Sequence, residues 1–339
     1  MASLGDVRRR LRATAIATVA VIAASFVSLV AGSAALAKPP PEKSQKEQAS
    51  QKTFPSPDAA AEALVAAARA ANTSALVDIF GPESKSLVES GDPVADRNAY
   101  ERFVKSYDEA HKIVSASDSE MTLETGNDQW PFPIPLVKAG DAWHFDTAAG
   151  KQEILDRRIG ANELATIEVV RAFVDAEREY FSRDPDGDKQ PHYAQLIRST
   201  PGKRDGLYWE EKPGEPPSPL GALFAEATAE GYHKTSSAPI PYHGYYYRIL
   251  TAQGPHAAGG QYDYIVRGKM IGGFALVAYP AEWRSSGVMT FLVNHDGVVF
   301  QKDLGPDTAK IAKAMKAFDP DDTWTRVQGD GDSAAASPS

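Results

Sequence analysis

The residues best equipped for chemistry are seven histidines and a few clusters of charge and aromaticity. His111, His144, His192, His233, His243, His256 and His295 show neither the H-x-H nor the H-E-x-x-H spacing that brings two imidazoles to one metal ion. No G-x-S-x-G elbow, glycine-rich phosphate loop or dinucleotide fingerprint occurs, which lowers the odds of the commonest enzymes. Acid–base work would fall to His243, beside Gly244, and to His295 with Asp296. If folding brought those ends together near Lys203, Arg204 and Asp205, imidazole and carboxylate would share one site. The simpler reading has His243 capping a strand and His295 filling a turn, as polar residues do.

Asp184, Asp186 and Asp188, with Gly187 between, resemble a calcium loop, because carboxylates on a tight turn suit a hard, oxygen-seeking cation. The glycine stands fourth rather than sixth, however, and Gln195 occupies the twelfth position in place of a bidentate Glu. A solvated acidic turn fits better, so neither metal nor cofactor is expected. The aromatic set Tyr208, Trp209, Tyr242, Tyr245, Tyr246 and Tyr247 offers large apolar faces with polar handles, suited to a groove for a sugar, peptidoglycan or a protein partner. Tyr245 and Tyr247 read as core. Tyr208 and Trp209, on a long irregular stretch, serve either role. The expected ligand-binding residues are therefore Lys203, Arg204, Asp205, Tyr208, Trp209 and Tyr242.

The elements that must position these residues are written most plainly from Pro241 to Gly305. β-Branched and aromatic residues there are cut at intervals by Gly, Pro and Asp-Gly, which is how an antiparallel sheet is encoded. Strands are expected at Tyr245 to Thr251, Tyr262 to Arg267, Phe274 to Tyr279, Val288 to Asn294 and Val298 to Gln301. Asp296-Gly297 makes a hairpin turn, and Pro280 ends its strand. A helix from Pro306 to Phe318 should pack Ile311, Met315 and Phe318 on the sheet, with Lys310, Lys313 and Lys316 outward.

Upstream, Ser56-Pro57-Asp58 opens a helix, and a second, beginning at Ala75, is stopped by Gly81-Pro82. A third runs from Asp96 to Ile113, with Tyr100, Phe103, Val104 and Tyr107 at helical spacing. Short strands follow at Met121 to Leu123, Phe132 to Val137 and Trp143 to Asp146. This order, helices before a curved sheet, resembles the cystatin-like cone of nuclear-transport-factor-like domains. Lys151 to Phe181 is a linking helical region, with Asn162 as N-cap and Leu164, Ile167, Val170, Phe173 and Val174 facing the core. Arg183 to Gly221 is irregular, and loops of such length are usually functional or disordered. The fold class is thus α+β: residues 54–150 form an N-terminal domain, 151–182 link it, and 183–327 carry the loop and the C-terminal sheet.

The ends of the chain carry addresses rather than structure. Arg8, Arg9, Arg10 and Arg12, the apolar run Ala13 to Val30 and the small-residue site Ala35-Leu36-Ala37 read as a cleaved signal peptide over residues 1–37, with a retained membrane anchor as the alternative, since the run is nearly long enough to span. Residues 38–53 read as a disordered linker and 328–339 as a disordered tail. The chain has no cysteine, so lipoprotein anchoring, disulfides and thiolate metal sites are excluded. Export without disulfides points to a periplasmic or secreted protein of a bacterial envelope, with no stable membrane anchor after cleavage. Loss of the leader's four Arg and one Asp takes the formal net charge from −9 to −12, which argues against nucleic acid as a partner.

Six stretches together resemble a known family: WPFPIPLVKAGDAWHFDTAAG (130–150), RRIGANEL (157–164), STPGKRDGLYW (199–209), PPSPLG (216–221), PYHGYYYRILTAQGP (241–255) and GGFALVAYPAEW (272–283). They are similar, in order, to the bacterial domain-of-unknown-function family numbered 2950, over about Phe54 to Trp324. The resemblance implies export and supplies no activity, cofactor or catalytic residue. The expected function is non-catalytic binding of an envelope ligand or protein partner. A hydrolase of envelope material and a structural part of an envelope complex are the alternatives.

Overall fold

A computed structural model of the chain describes residues 51–184, 187, 189–233 and 239–328. The expected leader, the linker up to Ser50, Asp186, Asp188 and the tail after Gln328 lie outside the described residues. Ser56 and Pro57 open helix α1 (Pro57–Arg69): the Ala59 amide donates to Ser56 Oγ at 3.1 Å, and proline sits where its missing N–H costs nothing. Asn72 caps α2 (Thr73–Phe80) in the same way, and Gly81, at φ +88°, turns the chain out of it. A short α3 (Lys85–Val88) leads to α4 (Pro93–Glu109), capped by Asp92.

The expected continuation of α4 to Ile113 does not occur. The segment His111–Ser117 is strand β1, with β-branched Ile113 and Val114 paired against Leu123 and Thr122 of β2 (Glu120–Thr125). β3 (Trp130–Pro131) adds to β2, and β4 (Leu136–Ala139) joins β5 (Ala142–Phe145) through a turn with Gly140 at φ +64°. The sheet order is β1-β2-β4-β5, with β3 also on β2. Leu123, Leu136 and Phe145 are wholly buried against Leu64, Ile79 and Phe80 of the first two helices. Burial of each such side chain contributes roughly 1.5–3 kcal/mol.

Helix α5 (Thr147–Arg183) is a single helix of 37 residues, roughly 55 Å long at 1.5 Å per residue. Asp146 caps it, not Asn162, which lies inside the helix and donates its side-chain amide to the Ser286 carbonyl at 2.8 Å. Val170, Phe173 and Val174 are buried as expected, but Leu164 is 68% exposed. After an irregular stretch comes α6 (Gly221–Ala229), which sequence reasoning did not foresee.

The C-terminal strands follow: β6 (Tyr245–Leu250), β7 (Ala252–Gln253), β8 (Tyr262–Asp263), β9 (Ile265–Val266), β10 (Lys269–Met270), β11 (Ala275–Pro280), β12 (Met289–Asn294) and β13 (Phe300–Asp303). Then come α7 (Thr308–Ala314), β14 (Ala317–Phe318) and β15 (Thr325–Arg326). The main sheet is antiparallel in the order β15-β13-β12-β11-β6, which makes β6 an edge strand. All six residues of β11 are buried, matching its apolar character on both faces, and Pro280 ends it.

Two expected elements split. Tyr264, wholly buried with its hydroxyl 3.1 Å from Gln253 Oε1, turns the chain inward and divides the expected strand into β8 and β9. The helix expected from Pro306 to Phe318 ends at Ala314, because β14 pairs in parallel with β7. Its buried face is Thr308 and Ala312 rather than an Ile311 stripe: Ile311 is exposed. Lys310, Lys313 and Lys316 point outward as expected. A second core, distinct from the one between the N-terminal helices and sheet, lies between α5 and the C-terminal sheet.

Candidate functional site

A pocket of about 520 Å³ opens along the edge strand β6. Val169 and Phe173 of α5 form one wall, Leu223, Phe224 and Ala227 of α6 a second, and the segment Pro239 to Tyr242 a third. Its floor is Tyr246, Tyr247 and Arg248 of β6 with Leu276 and Tyr279 of β11. Side chains alternate along a strand, so Tyr247 reaches α5 while Arg248 reaches α7. The pocket therefore wraps the uncovered edge of the sheet. Leu220, Leu223, Phe224 and Ala227 recur at i, i+3, i+4 and i+7, the spacing of one helical face, and all four line it.

Four polar side chains of the lining, Thr228, Tyr232, Tyr247 and Arg248, are already engaged in structure. Tyr247 Oη lies 3.3 Å from both Thr166 Oγ1 and the Tyr242 carbonyl oxygen. Tyr232 Oη donates to Asp92 Oδ2 at 2.9 Å. Arg248 Nη2 donates to the carbonyls of Ala312 and Met315 at 2.6 and 2.5 Å. Burial pushes the hydroxyls of Tyr232, Tyr242 and Tyr247 well above the usual phenol range, so they remain protonated. Arg198 differs: its guanidinium lies 4.8 Å from the ring of Tyr208 and 5.0 Å from that of Phe224, two rings stacked at 4.0 Å.

The acid–base candidates are not brought together. Tyr245, two residues after His243, pairs with Pro280, whereas Asn294, immediately before His295, pairs with Ala275 at the other end of β11. Five strand steps separate those positions, roughly 17 Å. His243 adopts a left-handed backbone (φ +50°), and its Nε2 lies 3.7 Å from Glu230 Oε2. Burial lowers the histidine and raises the carboxyl, so both lean towards their neutral forms and the contact is not a strong ion pair. His295 packs edge-on against Tyr264 and Phe274, with its Nε2 3.9 Å from Asp296 Oδ1, beyond hydrogen-bonding range.

Of the expected ligand-binding residues, only Tyr242 lines the pocket. Trp209 is a core residue, 7% exposed, because the loop that carries it folds back over α5. That fold-back is held by Tyr180 of α5, whose hydroxyl donates to the Arg204 carbonyl at 2.8 Å. Arg204 pairs with Glu215 at 2.7 Å, and its guanidinium lies 5.6 Å from the Trp209 ring. Asp205 accepts the Thr200 amide at 2.8 Å, closing the turn on which Lys203 is exposed. Tyr208 adjoins the pocket through Phe224 without lining it. Tyr245 is core as expected, whereas Tyr247 is only half-buried and faces the cavity.

Asp184 ends α5 in a left-handed conformation and accepts the Lys189 amide at 2.9 Å. Among the described residues, no group of three His, Asp or Glu is placed to hold a metal ion. Among them, too, no helix is long and apolar enough to cross a membrane.

The chain matches, over residues 51–327, the family described as "Protein of unknown function (DUF2950)", and it belongs to that family. Among curated proteins and among solved structures, none matches it.

Proposed function

We propose that this DUF2950 member is a non-catalytic binding protein of the bacterial envelope that holds a small, largely apolar molecule in the pocket beside β6. One observation carries the reading: the cavity is walled by aromatic and aliphatic side chains, while the hydroxyls of Tyr232 and Tyr247 and one arm of Arg248 are tied to protein partners. Groups held in that way shape and orient; they are not free to exchange protons with a substrate. A volume of about 520 Å³ lies within the range of small-molecule sites. The envelope location rests on the basic head, apolar run and small-residue cleavage site of the first 37 residues, together with the absence of cysteine.

The test is a thermal-shift screen of the purified chain against lipids, aromatic acids, sugars and cell-wall fragments. A ligand at a hundred times its dissociation constant adds about 2.7 kcal/mol, enough to raise the midpoint by several degrees. Apolar compounds should shift the native chain and fail to shift Ala227→Trp, which fills the cavity from α6. A response to sugars or cell-wall fragments alone would place binding elsewhere.

A further inference from the structure

We infer that the ligand of this pocket is a single-headed amphiphile with an apolar body and one carboxylate, and that Arg198 receives the carboxylate. The inference rests on the pocket reading above and adds the ligand's charge. Its first support is the distribution of charge. The chain carries 45 acidic against 36 basic residues, yet the described lining holds Arg198 and Arg248 and no Asp or Glu. An acidic protein has thus placed two guanidiniums and no carboxylate in the lining itself, while Asp92, Glu226 and Glu230 act from behind Tyr232 and Tyr242, and the guanidinium side of the cavity favours an anion.

The second support is how the two guanidiniums are held. Arg248 is anchored by the carbonyls of Ala312 and Met315, so its hydrogen-bonding capacity is partly occupied while its charge remains. The Arg198 side chain, exposed at the mouth of the cavity, makes no hydrogen bond and no ion pair among the described residues. What holds it is the stacked pair Tyr208 and Phe224. Aromatic contact leaves the N–H groups of a guanidinium available, and that planar fork matches a carboxylate through two parallel hydrogen bonds. Phe224 serves both halves of such a ligand, since it supports Arg198 and lines the apolar cavity.

The experiment is calorimetric titration of the full chain with decanoate, decanol and decylamine, which share one apolar body. Decanoate should bind about tenfold more tightly than decanol, equivalent to about 1.4 kcal/mol, and decylamine most weakly. Arg198→Gln should collapse the ratio of decanoate to decanol affinity towards one, and Arg198→Lys should keep part of it. Thermal midpoints of both variants report whether they fold. Equal binding of acid and alcohol, or a preference for the amine, would overturn the charge inference and leave the pocket reading standing. If none of the three bound the native chain, both would fall.

Discussion

Asp92 and Tyr232, 140 residues apart in the chain, meet across the two halves of the protein: Tyr232 Oη donates to Asp92 Oδ2 at 2.9 Å. The carboxylate is wholly buried and accepts three further donors, the amides of Val94 and Ala95 at Oδ1 and that of Gly244 at Oδ2. One side chain thus caps α4, fixes the entry to β6 and holds Tyr232, a pocket-lining residue.

Removing that carboxylate should loosen all three features together. Asp92→Ala loses a helix cap and strands buried donors, at a cost of about 2–4 kcal/mol. Tyr232→Phe leaves the cap intact and should cost about 1 kcal/mol. Chemical denaturation of both variants checks the ordering, and equal costs would contradict the shared role.

Glu177 on α5 predicts a pH dependence of stability. It is fully buried, one oxygen accepts the Ala194 amide at 2.8 Å, and the other has no partner among the described residues. Burial raises its pKa well above the carboxylate range. Above the ordinary carboxyl pKa of about 4.3, the folded state therefore binds more protons than the unfolded, and stability falls as pH rises until the folded pKa is passed. Glu177→Gln should flatten this slope and raise the thermal midpoint at pH 8 relative to pH 4. An unchanged slope would show that the carboxyl is already ionised in the fold.

Two glycines in α5 should respond oppositely to the same substitution. A Cβ on Gly150 would lie 2.1 Å from the Pro133 carbonyl oxygen, whereas one on Gly160 meets nothing within 4 Å. Gly150→Ala should cost about 1–3 kcal/mol through overpacking against backbone. Gly160→Ala should add about 0.5–1 kcal/mol through helix propensity. Thermal melts of the two variants decide the matter, and a gain at Gly150 would contradict the close approach.

Local chemistry made part of this fold legible in advance. Ser56-Pro57 and Gly81-Pro82 bound helices, Pro280 ends a strand, and Asp296-Gly297 turns a hairpin, because each acts through its own backbone. Features set by distant partners were hidden. Asn162 looked like a cap, yet its amide is held by Ser286, 124 residues away, and α5 runs through it unbroken. Trp209 looked available on a long loop, but that loop is tied to α5 at Tyr180. The pocket itself was half legible: the helical spacing of Leu220, Leu223, Phe224 and Ala227 was there to be read. The arrival of Arg198 and Tyr246 beside it depends on three segments converging, which no spacing records.

The most direct test of the binding reading is a saturation titration with a neutral naphthalene fluorophore, followed by its emission, since a neutral probe reports the cavity without reference to Arg198. The native chain should bind it saturably at one site with a blue-shifted emission. Ala227→Trp and Leu223→Trp, shown by their melts to be folded, should lose that signal. No saturable binding by the native chain, or undiminished binding by both filled variants, would contradict the pocket as the functional site.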